Sequence, residues 1–480
     1  MAAPGATGNP FFDAWVNDID IRDLMDTRDL AGEPPQIPSV LDSTRLDEIV
    51  ERTLTMPAGA ERVERRYAGD PLRLLITSSN LRGVPYWMRF QGNTPQGHGM
   101  TLHRDHLRFF LRGLAGGGTG GGTYADEIEL PLNPPPSPSL EAWRLLGRSA
   151  LATSAFPAVF RPRGLHRPYA DYDHRIVAED PAATGQYYAV RPSTQDDDYR
   201  SLNVDGGAMD NEPLELARAV LAGRFGRNPR GGTEAMRATV LMDPFPEMTS
   251  PGPADESGVN PVRTAMGLVG AWTSQARFRP DDIALAHDDT VYSRFFMAPN
   301  RGGSAAQASN NFSLASSVLG GFGAFLSWHY RIHDYLLGRR NCQQFLRRHF
   351  VLDADHPMFQ HHWNPALTEL TDPKDPDKGG HGVMSGTPKR LHLPVIPLIK
   401  GTDVNIKVPV PTWPSGRYDP AALAELTEDR FKALWFATLD NLEVGWLAQT
   451  YLGPLRRQAQ KRLKKAIIEK LTEELQQRRL

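Results

Sequence analysis

The stretch YRSLNVDGGAMDNEPLELA, residues 199–217, decides the predicted fold because it joins a strand to a helix through an acidic turn. LNVD (202–205) is typical of a strand end, and EPLELARAVLAGRF (212–225) has the apolar spacing of an amphipathic helix. Asp205, followed by Gly206 and Gly207, lies between them. On spacing alone a plain Asp-Gly turn is favoured. The functional alternative is a catalytic aspartate at the carboxyl end of a parallel strand, where open α/β sheets bind ligands.

The rest of the chain divides into two regions by pattern. Up to about residue 250, predicted helices (42–53 and 139–155) alternate with short apolar runs typical of strands (71–81 and 238–246). From about residue 250 the patterns are mostly helical and are separated by long proline-rich loops. We therefore expect an α/β domain with a parallel sheet over residues 1–250 and a mainly helical region over residues 251–480.

The composition excludes several classes of protein. A formal net charge of −2 over 480 residues argues against a nucleic-acid binder. A single cysteine, Cys342, leaves no intramolecular disulfide and no cysteine-based zinc site. The N-terminal residues lack the basic and apolar segments of a signal peptide, and the longest uncharged stretch, 302–328, is rich in glycine and polar residues. We expect a cytoplasmic protein, with peripheral membrane contact as an alternative.

An ordered set of segments resembles the patatin-like phospholipase family. LATSAFPAVFRPR (151–163) followed by YRSLNVDGGAMDNEPLELA is similar to the family's Ala-Ser-Ser-Ala-Pro-type segment and its Asp-Gly-Gly motif. PLRLLITSSNLRGVPYWMRF (71–90) resembles the family's strand and following hairpin, and DSTRLDEIVERTL (42–54) the short helix before it. ATVLMDPFPE (238–247) and residues 325–350 resemble the large bacterial members with a helical C-terminal extension. The resemblance implies a patatin-like α/β sheet flanked by helices.

The resemblance implies a chemistry for the Asp-Gly-Gly motif. In this family a serine in a Gly-x-Ser-x-Gly elbow is the nucleophile, an aspartate is its only catalytic partner, and a glycine-rich loop supplies the oxyanion hole. Asp205 matches the dyad aspartate, and Gly206 and Gly207 match the motif glycines. The implied activity is hydrolysis of a lipid acyl ester, with no metal or organic cofactor.

The serine of the dyad has no match in this sequence. None of its serines lies in Gly-x-Ser-x-Gly; Ser149 (GRSAL) and Ser304 (GGSAA) come nearest, but Ser149 lies in a helical pattern and Ser304 follows Asp205. NPFFDAWVNDIDIRDLM (9–25) resembles the family segment that follows the nucleophile's helix. We therefore expect a patatin-like sheet that is incomplete at its N-terminus and lacks the oxyanion loop and the nucleophile elbow.

Three explanations fit the missing segment. A separate polypeptide carries the serine, the chain is truncated, or the protein is a non-catalytic remnant that binds lipid or serves as a scaffold. A missing first strand would leave an exposed sheet edge, which favours the first two explanations. Alone, the chain is expected to have no serine-hydrolase turnover, because it lacks both the attacking group and the oxyanion donors.

Ordinary structural roles are favoured for the weaker features of the sequence. His356, His361, His362 and His381 lack metal-site spacing and are expected to be solvated or capping residues. The basic helix at 338–349 is expected to have a solvated face, with lipid head groups as the alternative contact, and Cys342 is expected to be a packed thiol. The tail 454–480 has an apolar stripe that recurs every four residues: Leu455, Ala459, Leu463, Ile467, Leu471 and Leu475. This stripe is expected to dock on the protein's own core, to pair with another subunit or to lie on a membrane.

Overall fold

The computed structural model describes most of the chain in separate ranges. These are residues 8–32, 36–56, 63–88, 98–116, 123–173, 176–179, 186–188, 197–210, 213–222, 228–245, 264, 267–268, 271, 288, 290–360, 381–385, 388–398, 408–442 and 452–480.

Helices of three to 26 residues occur along the described ranges. In chain order they are α1 (Pro10–Phe12), α2 (Ile21–Leu24), α3 (Thr44–Leu54), α4 (Glu141–Thr153), α5 (Leu214–Ala222), α6 (Gly303–Ala308), α7 (Gly323–Leu326), α8 (Trp328–Arg348), α9 (Pro357–Gln360), α10 (Pro420–Asn441) and α11 (Gly453–Arg478). The predicted helices at 42–53 and 139–155 are confirmed as α3 and α4, and α5 confirms the one after the Asp-Gly-Gly motif.

Apart from the first two, which are long, the strands are short. They are β1 (Leu72–Met88), β2 (His98–Leu111), β3 (Glu127–Glu129), β4 (Arg163–Pro168), β5 (Ile176–Glu179), β6 (Gln186–Tyr188), β7 (Asp198–Val204), β8 (Thr239–Met242), β9 (Arg294–Met297), β10 (Val351–Asp353), β11 (Val383–Ser385) and β12 (Arg390–Pro394). The strand end predicted at 202–205 is β7, and the strand predicted at 238–246 is β8.

The main sheet has five strands in the order β3-β2-β1-β7-β4. Three of its four strand pairs, β1–β2, β1–β7 and β4–β7, are antiparallel, and β2–β3 is parallel. The mixed α/β content is confirmed, but the prediction of a parallel sheet is wrong. Consecutive strands β1 and β2 pair directly across a short connection, whereas parallel neighbours need a crossover of a dozen or more residues.

Strand β1 runs without a break through the segment that was predicted as a strand followed by a hairpin. It pairs with β2 from Leu72 opposite Leu111 to Met88 opposite His98, with an irregularity between Ser79 and Val84. The buried Asn80 shapes this bulge, because its Oδ1 accepts the backbone N–H groups of Arg82 at 3.1 Å and Gly83 at 3.0 Å. One long bulged strand therefore replaces the expected strand and following hairpin.

Helix α4 covers one face of the sheet. Trp143 and Ala152 of this helix pack with Leu107 and Phe109 of β2 and Leu165 of β4 in a buried apolar cluster. Burial of such large side chains against one face supplies most of the energy that holds a helix on a sheet. Helix α4 is thereby fixed on strands β2 and β4 of the sheet.

A second buried cluster unites residues from distant parts of the chain. Leu24 and Phe160 pack there with Val318, Tyr330 and Leu471. Buried residues on both sides of residue 250 thus share one apolar core, and the division at 250 stays a prediction. Most of the described residues after residue 250 are helical, as predicted, although a three-stranded sheet of order β10-β12-β11 also lies among them. The helical pattern predicted at 261–278 lies almost entirely outside the described residues.

The buried Arg430 of α10 connects the C-terminal helices to the N-terminal segment. Its guanidinium forms an ion pair with Asp29 and donates to the backbone carbonyls of Ser39 at 3.1 Å and Val40 at 2.9 Å. A buried charge is stable only when it is paired and hydrogen-bonded, and this one is both.

The tail docks on the protein at its C-terminal end. In α11, Leu471 and Leu475 are buried, while Leu455 at the other end is 53% exposed. Glu474 accepts the backbone N–H of Leu319 at 2.7 Å. The last third of the predicted stripe therefore contacts the protein's own core. None of the helices in the described ranges is long and apolar enough to cross a membrane.

Candidate functional site

Asp205 follows directly after β7, which lies between β1 and β4 in the main sheet. Its backbone N–H donates to the carbonyl of Ala155, just beyond α4, at 3.0 Å. Its carbonyl accepts the hydroxyl of Ser79 in β1 at 2.7 Å. The backbone of Asp205 is therefore held between the end of a helix and a neighbouring strand. Such support is expected for a residue whose side chain must keep a defined position.

The carboxylate of Asp205 is half-buried and only partly satisfied. Its Oδ1 accepts the backbone N–H of Gly207 at 2.7 Å, which starts the short 3₁₀ turn Gly206–Ala208. Its Oδ2 accepts no hydrogen bond from any residue in the described ranges. Burial raises the pKa of Asp205, and the hydrogen bond from Gly207 lowers it by less. The group is a stronger base than an exposed aspartate.

Gly206 allows the turn to lie directly against β1. A Cβ built on Gly206 would lie 2.4 Å from Oγ1 and 2.7 Å from the backbone oxygen of Thr77. Because any side chain would displace the backbone of β1, only glycine fits at this position. The segment that approaches Gly206 so closely is a strand of the same chain.

The two serine hydroxyl groups of β1 beside the turn bond to acceptors other than the Asp205 carboxylate. The Ser78 hydroxyl donates to the side-chain oxygen of Asn203 at 3.2 Å, and the Ser79 hydroxyl donates to the backbone oxygen of Asp205. Both serines are buried. Within the described ranges no serine or threonine hydroxyl donates to the Asp205 carboxylate. The structure thus brings Asp205 together with its motif glycines but not with a nucleophile.

The two serines with the nearest sequence match do not join Asp205. Ser149 is buried inside α4, where its hydroxyl donates to the Leu145 carbonyl at 2.7 Å. Ser304 lies in the first turn of α6. The expectation that Ser149 lies within a helix rather than on a strand-to-helix elbow is confirmed.

Two other clusters contain a serine beside a titratable group, and neither was predicted from the sequence. In the first, the Asp334 carboxylate accepts the Ser316 hydroxyl and the backbone N–H groups of Ala315 and Ser316, both at 2.9 Å, while His333 contacts its other side. Asp334 thus caps the start of the 3₁₀ helix Ala315–Gly321 from a distant position in the chain. No local spacing links Ser316 to Asp334, so the sequence carried no signal for the contact.

The second cluster lies in the small three-stranded sheet. The Ser385 hydroxyl lies 2.8 Å from Nδ1 of the buried His392, and the Tyr292 hydroxyl lies 2.6 Å from its Nε2. Tyr292 also stacks on the imidazole at a centroid distance of 5.4 Å. The cluster satisfies a buried histidine on both nitrogens, as the interior of a protein requires.

A buried polar network braces the strands beside Asp205. The Asp105 carboxylate of β2 accepts Nη2 of Arg167 at 2.8 Å, the Tyr172 hydroxyl at 2.6 Å and the Asn80 amide at 2.9 Å. The Tyr199 hydroxyl in β7 accepts a second bond from the Asn80 amide at 2.9 Å. The Asp105 carboxylate thus holds four chain segments in position relative to one another.

The histidines and the cysteine occupy positions that fit ordinary structural roles. Buried His356 accepts the backbone N–H of Met358 through Nδ1 at 3.1 Å, a capping role, whereas His361 and His362 lie outside the described residues. The described ranges contain no group of three metal-ligating side chains. The prediction that Cys342 is packed is wrong. Cys342 is exposed because it occupies the solvent side of α8, while Phe345 turns inward as expected for this basic helix.

Comparison with known proteins finds similarity to an uncharacterized protein of Sinorhizobium fredii, y4iI. The two are 32% identical over 443 residues, which cover 85% of this chain and 58% of the relative. The chain thus spans less than two thirds of the length of that relative. No family model and no solved structure matches the chain. The resemblance to patatin-like phospholipases therefore stays a prediction.

Proposed function

We propose that this chain supplies the aspartate of a Ser–Asp dyad in a patatin-like lipid acyl hydrolase. Asp205 is the general base, and the nucleophilic serine lies on a segment outside this chain. The observation that carries the proposal is the half-buried Asp205 carboxylate, with one oxygen fixed by Gly207 and the other accepting no hydrogen bond from a described residue. The free oxygen is placed to accept the proton of an incoming hydroxyl.

The electrostatics of Asp205 support the role of base. A base is most effective when its pKa approaches the working pH, and burial shifts the pKa of Asp205 in that direction. The ion pairs of the described residues do not include Asp205, so its charge is not neutralised by a nearby arginine or lysine.

The lipid substrate rests on the resemblance in the sequence. The acyl ester would be attacked by the serine while Asp205 takes its proton, and an oxyanion loop would stabilise the developing charge. The other hypothesis is a non-catalytic lipid-binding or scaffold protein. The two hypotheses differ in whether substitution of Asp205 changes the rate of ester hydrolysis.

An activity assay on the assembled enzyme tests the proposal. The chain would be expressed together with the coding sequence that flanks it, purified through a tag on this chain, and assayed with p-nitrophenyl butyrate. A fluorophosphonate probe would show whether an activated serine is present. Asp205→Asn keeps the shape of the side chain but removes the base, so kcat is expected to fall by about 10²-fold or more.

Asp210 provides a matched control. It lies five residues further on, and burial also raises its pKa, offset in part by Arg104. Asp210→Asn should keep kcat within about twofold, because Asp210 is not the proposed base and the substitution keeps the shape of the side chain. Equal losses in the two variants would contradict the assignment of Asp205. A wild-type preparation with neither ester turnover nor probe labelling would favour the non-catalytic alternative.

A further inference from the structure

A cleft of about 860 Å³ lies where the beginning of α4 faces the edge of the main sheet. Strands β4 and β7 form one wall, and the bulge of β1 closes one end. Positively charged residues strongly outnumber negatively charged ones in its lining. The lining residues are Leu81, Arg82, Glu141, Arg144, Leu145, Arg148, Gly164, Leu165, His166, Arg200, Ser201 and Leu202. Four arginines and one histidine thus face a single glutamate, in a chain whose net charge is −2.

Arg144 and Arg148 form the helical wall of the cleft. They are one turn apart on α4, so their side chains lie on the same face. Both are exposed, and neither forms an ion pair within the described part of the chain. Nη2 of Arg148 would lie 3.9 Å from a Cβ on Gly164. The Arg148 guanidinium thus lies beside Gly164 at the sheet edge.

Arg82 and Arg200 come from the opposite side. Nη1 of Arg82 donates to the backbone carbonyl of Arg200 at 2.8 Å, and its guanidinium lies 4.9 Å from the centre of the Tyr199 ring. These contacts fix Arg82 without neutralising it. Arg200 and His166, which face each other across β4 and β7, share the carboxylate of Asp198. The positive charge that remains uncompensated therefore lies mainly on Arg82, Arg144 and Arg148.

The floor of the cleft is apolar. Leu81 is 52% exposed and Leu202 is 48% exposed, although leucine is normally buried. Leu145 and Leu165 also line the cleft. Apolar surface left open beside charged groups is typical of a ligand site, since the apolar part of a ligand can cover it and remove it from water.

A second pocket of about 470 Å³ continues past the arginines. It shares Arg144, Arg148 and Gly164 with the first cleft and is lined by the apolar side chains of Val50 and Leu54 among others. The two spaces together offer the cations Arg144 and Arg148 at their junction and apolar side chains on both sides, although Asp47, Glu51, Arg161 and Arg163 also line the second pocket. This arrangement fits a molecule with a charged group and a chain.

We propose that this cleft binds an amphiphilic anion, with a phosphate or carboxylate head held by Arg82, Arg144 and Arg148 and an alkyl or acyl chain lying on Leu81 and Leu202. Guanidinium groups match phosphate and carboxylate oxygens with two parallel hydrogen bonds, which makes arginine the usual residue for such heads. The proposal does not rest on the hydrolase activity, because binding requires neither Asp205 nor a nucleophile.

Titration calorimetry on the full chain tests the proposal. The probes are dodecyl phosphate and dodecanoate below their micellar concentrations, inorganic phosphate, and the uncharged monolaurin. Dodecyl phosphate or dodecanoate should bind, and monolaurin and inorganic phosphate should each bind at least about tenfold more weakly. Arg144→Gln with Arg148→Gln should raise the Kd of the anionic amphiphile by about tenfold or more, since bonds to charged groups are lost.

Two further variants make the result specific. Arg457→Gln with Lys461→Gln removes an equally spaced, exposed pair of cations from α11, and Kd should stay within about twofold. Leu81→Ser with Leu202→Ser should weaken dodecyl phosphate but not inorganic phosphate. The proposal is overturned if neither amphiphile binds, if the arginine pair can be removed without effect, or if inorganic phosphate binds as tightly as dodecyl phosphate. Circular dichroism of each variant checks that it is folded.

Discussion

Gly206 and Thr77 are in backbone contact: a Cβ on Gly206 would lie 2.7 Å from the carbonyl oxygen of Thr77. Thr77 is in the middle of β1, and Gly206 begins the turn that carries the Asp205 carboxylate. The position of the carboxylate therefore depends on a strand more than a hundred residues earlier in the chain. A substitution that separates the two backbones would change both the stability of the sheet and the geometry of the candidate site.

Gly206→Ala tests this contact. The added methyl group cannot be accommodated without a shift of β1, and forced overpacking of this kind costs about 1–3 kcal/mol. We expect the free energy of unfolding in urea to fall by that amount. Gly338→Ala is the control, because a Cβ there has nothing within 4 Å. Since Gly338 lies inside helix α8, alanine should stabilise the protein by up to about 1 kcal/mol. Similar effects of the two substitutions would contradict the close approach.

Local elements near Asp205 could be predicted from the sequence, because they depend on local patterns. The apolar spacing of α4 and the strand end at Val204 are visible in short windows, and both are confirmed. Strand β2 carries no such signal, since charged residues such as Arg104 and Asp105 interrupt its apolar residues. Asp105 is buried because Arg167, 62 residues later, pairs with it. The antiparallel order of the sheet depends on such distant partners and could not be predicted.

The cleft that Arg144 and Arg148 line could likewise be predicted only in part from the sequence. The spacing of Arg144 and Arg148 on one helix face can be read from the sequence, but it is equally typical of a solvated surface. Arg82 and Arg200 join them only because the bulge of β1 and strand β7 are neighbours in the sheet. The charge excess that distinguishes the cleft from an ordinary surface is therefore a property of the fold.

The raised pKa of Asp205 predicts a dependence of stability on pH. Burial raises the pKa above its ordinary value of 3.8, so the folded state binds the proton more tightly than the unfolded chain. The stability that Asp205 contributes is present below the unfolded pKa and is lost as pH rises through the folded pKa. Asp205→Asn cannot ionise and avoids this loss. We expect the variant to gain stability relative to wild type between pH 4 and pH 7, measured by urea unfolding at each pH.

Asp20→Asn should show the opposite trend. Burial alone would raise the pKa of Asp20, but the hydrogen bonds and charge of Arg22 outweigh it and lower the pKa. The stabilising effect of Asp20 is thus present above the unfolded pKa and is lost as pH falls through the folded pKa. The Asn variant should be less stable than wild type at pH 7 and approach it at low pH. Parallel curves for the two variants would show that the environment of Asp205 is not the cause.

Leu471 tests whether the tail belongs to the core. Its side chain is fully buried in the cluster that also contains Leu24 and Tyr330, so Leu471→Ala should lower the free energy of unfolding by about 2–5 kcal/mol. Leu455→Ala, at the exposed beginning of the same helix, should change it by less than about 0.5 kcal/mol. A side chain that fills the core cannot also lie on a membrane. If liposomes bind the protein through the tail, Leu455→Ala should therefore weaken that binding. In the unfolding experiment, equal effects of Leu471→Ala and Leu455→Ala would contradict the docking of the tail on the core.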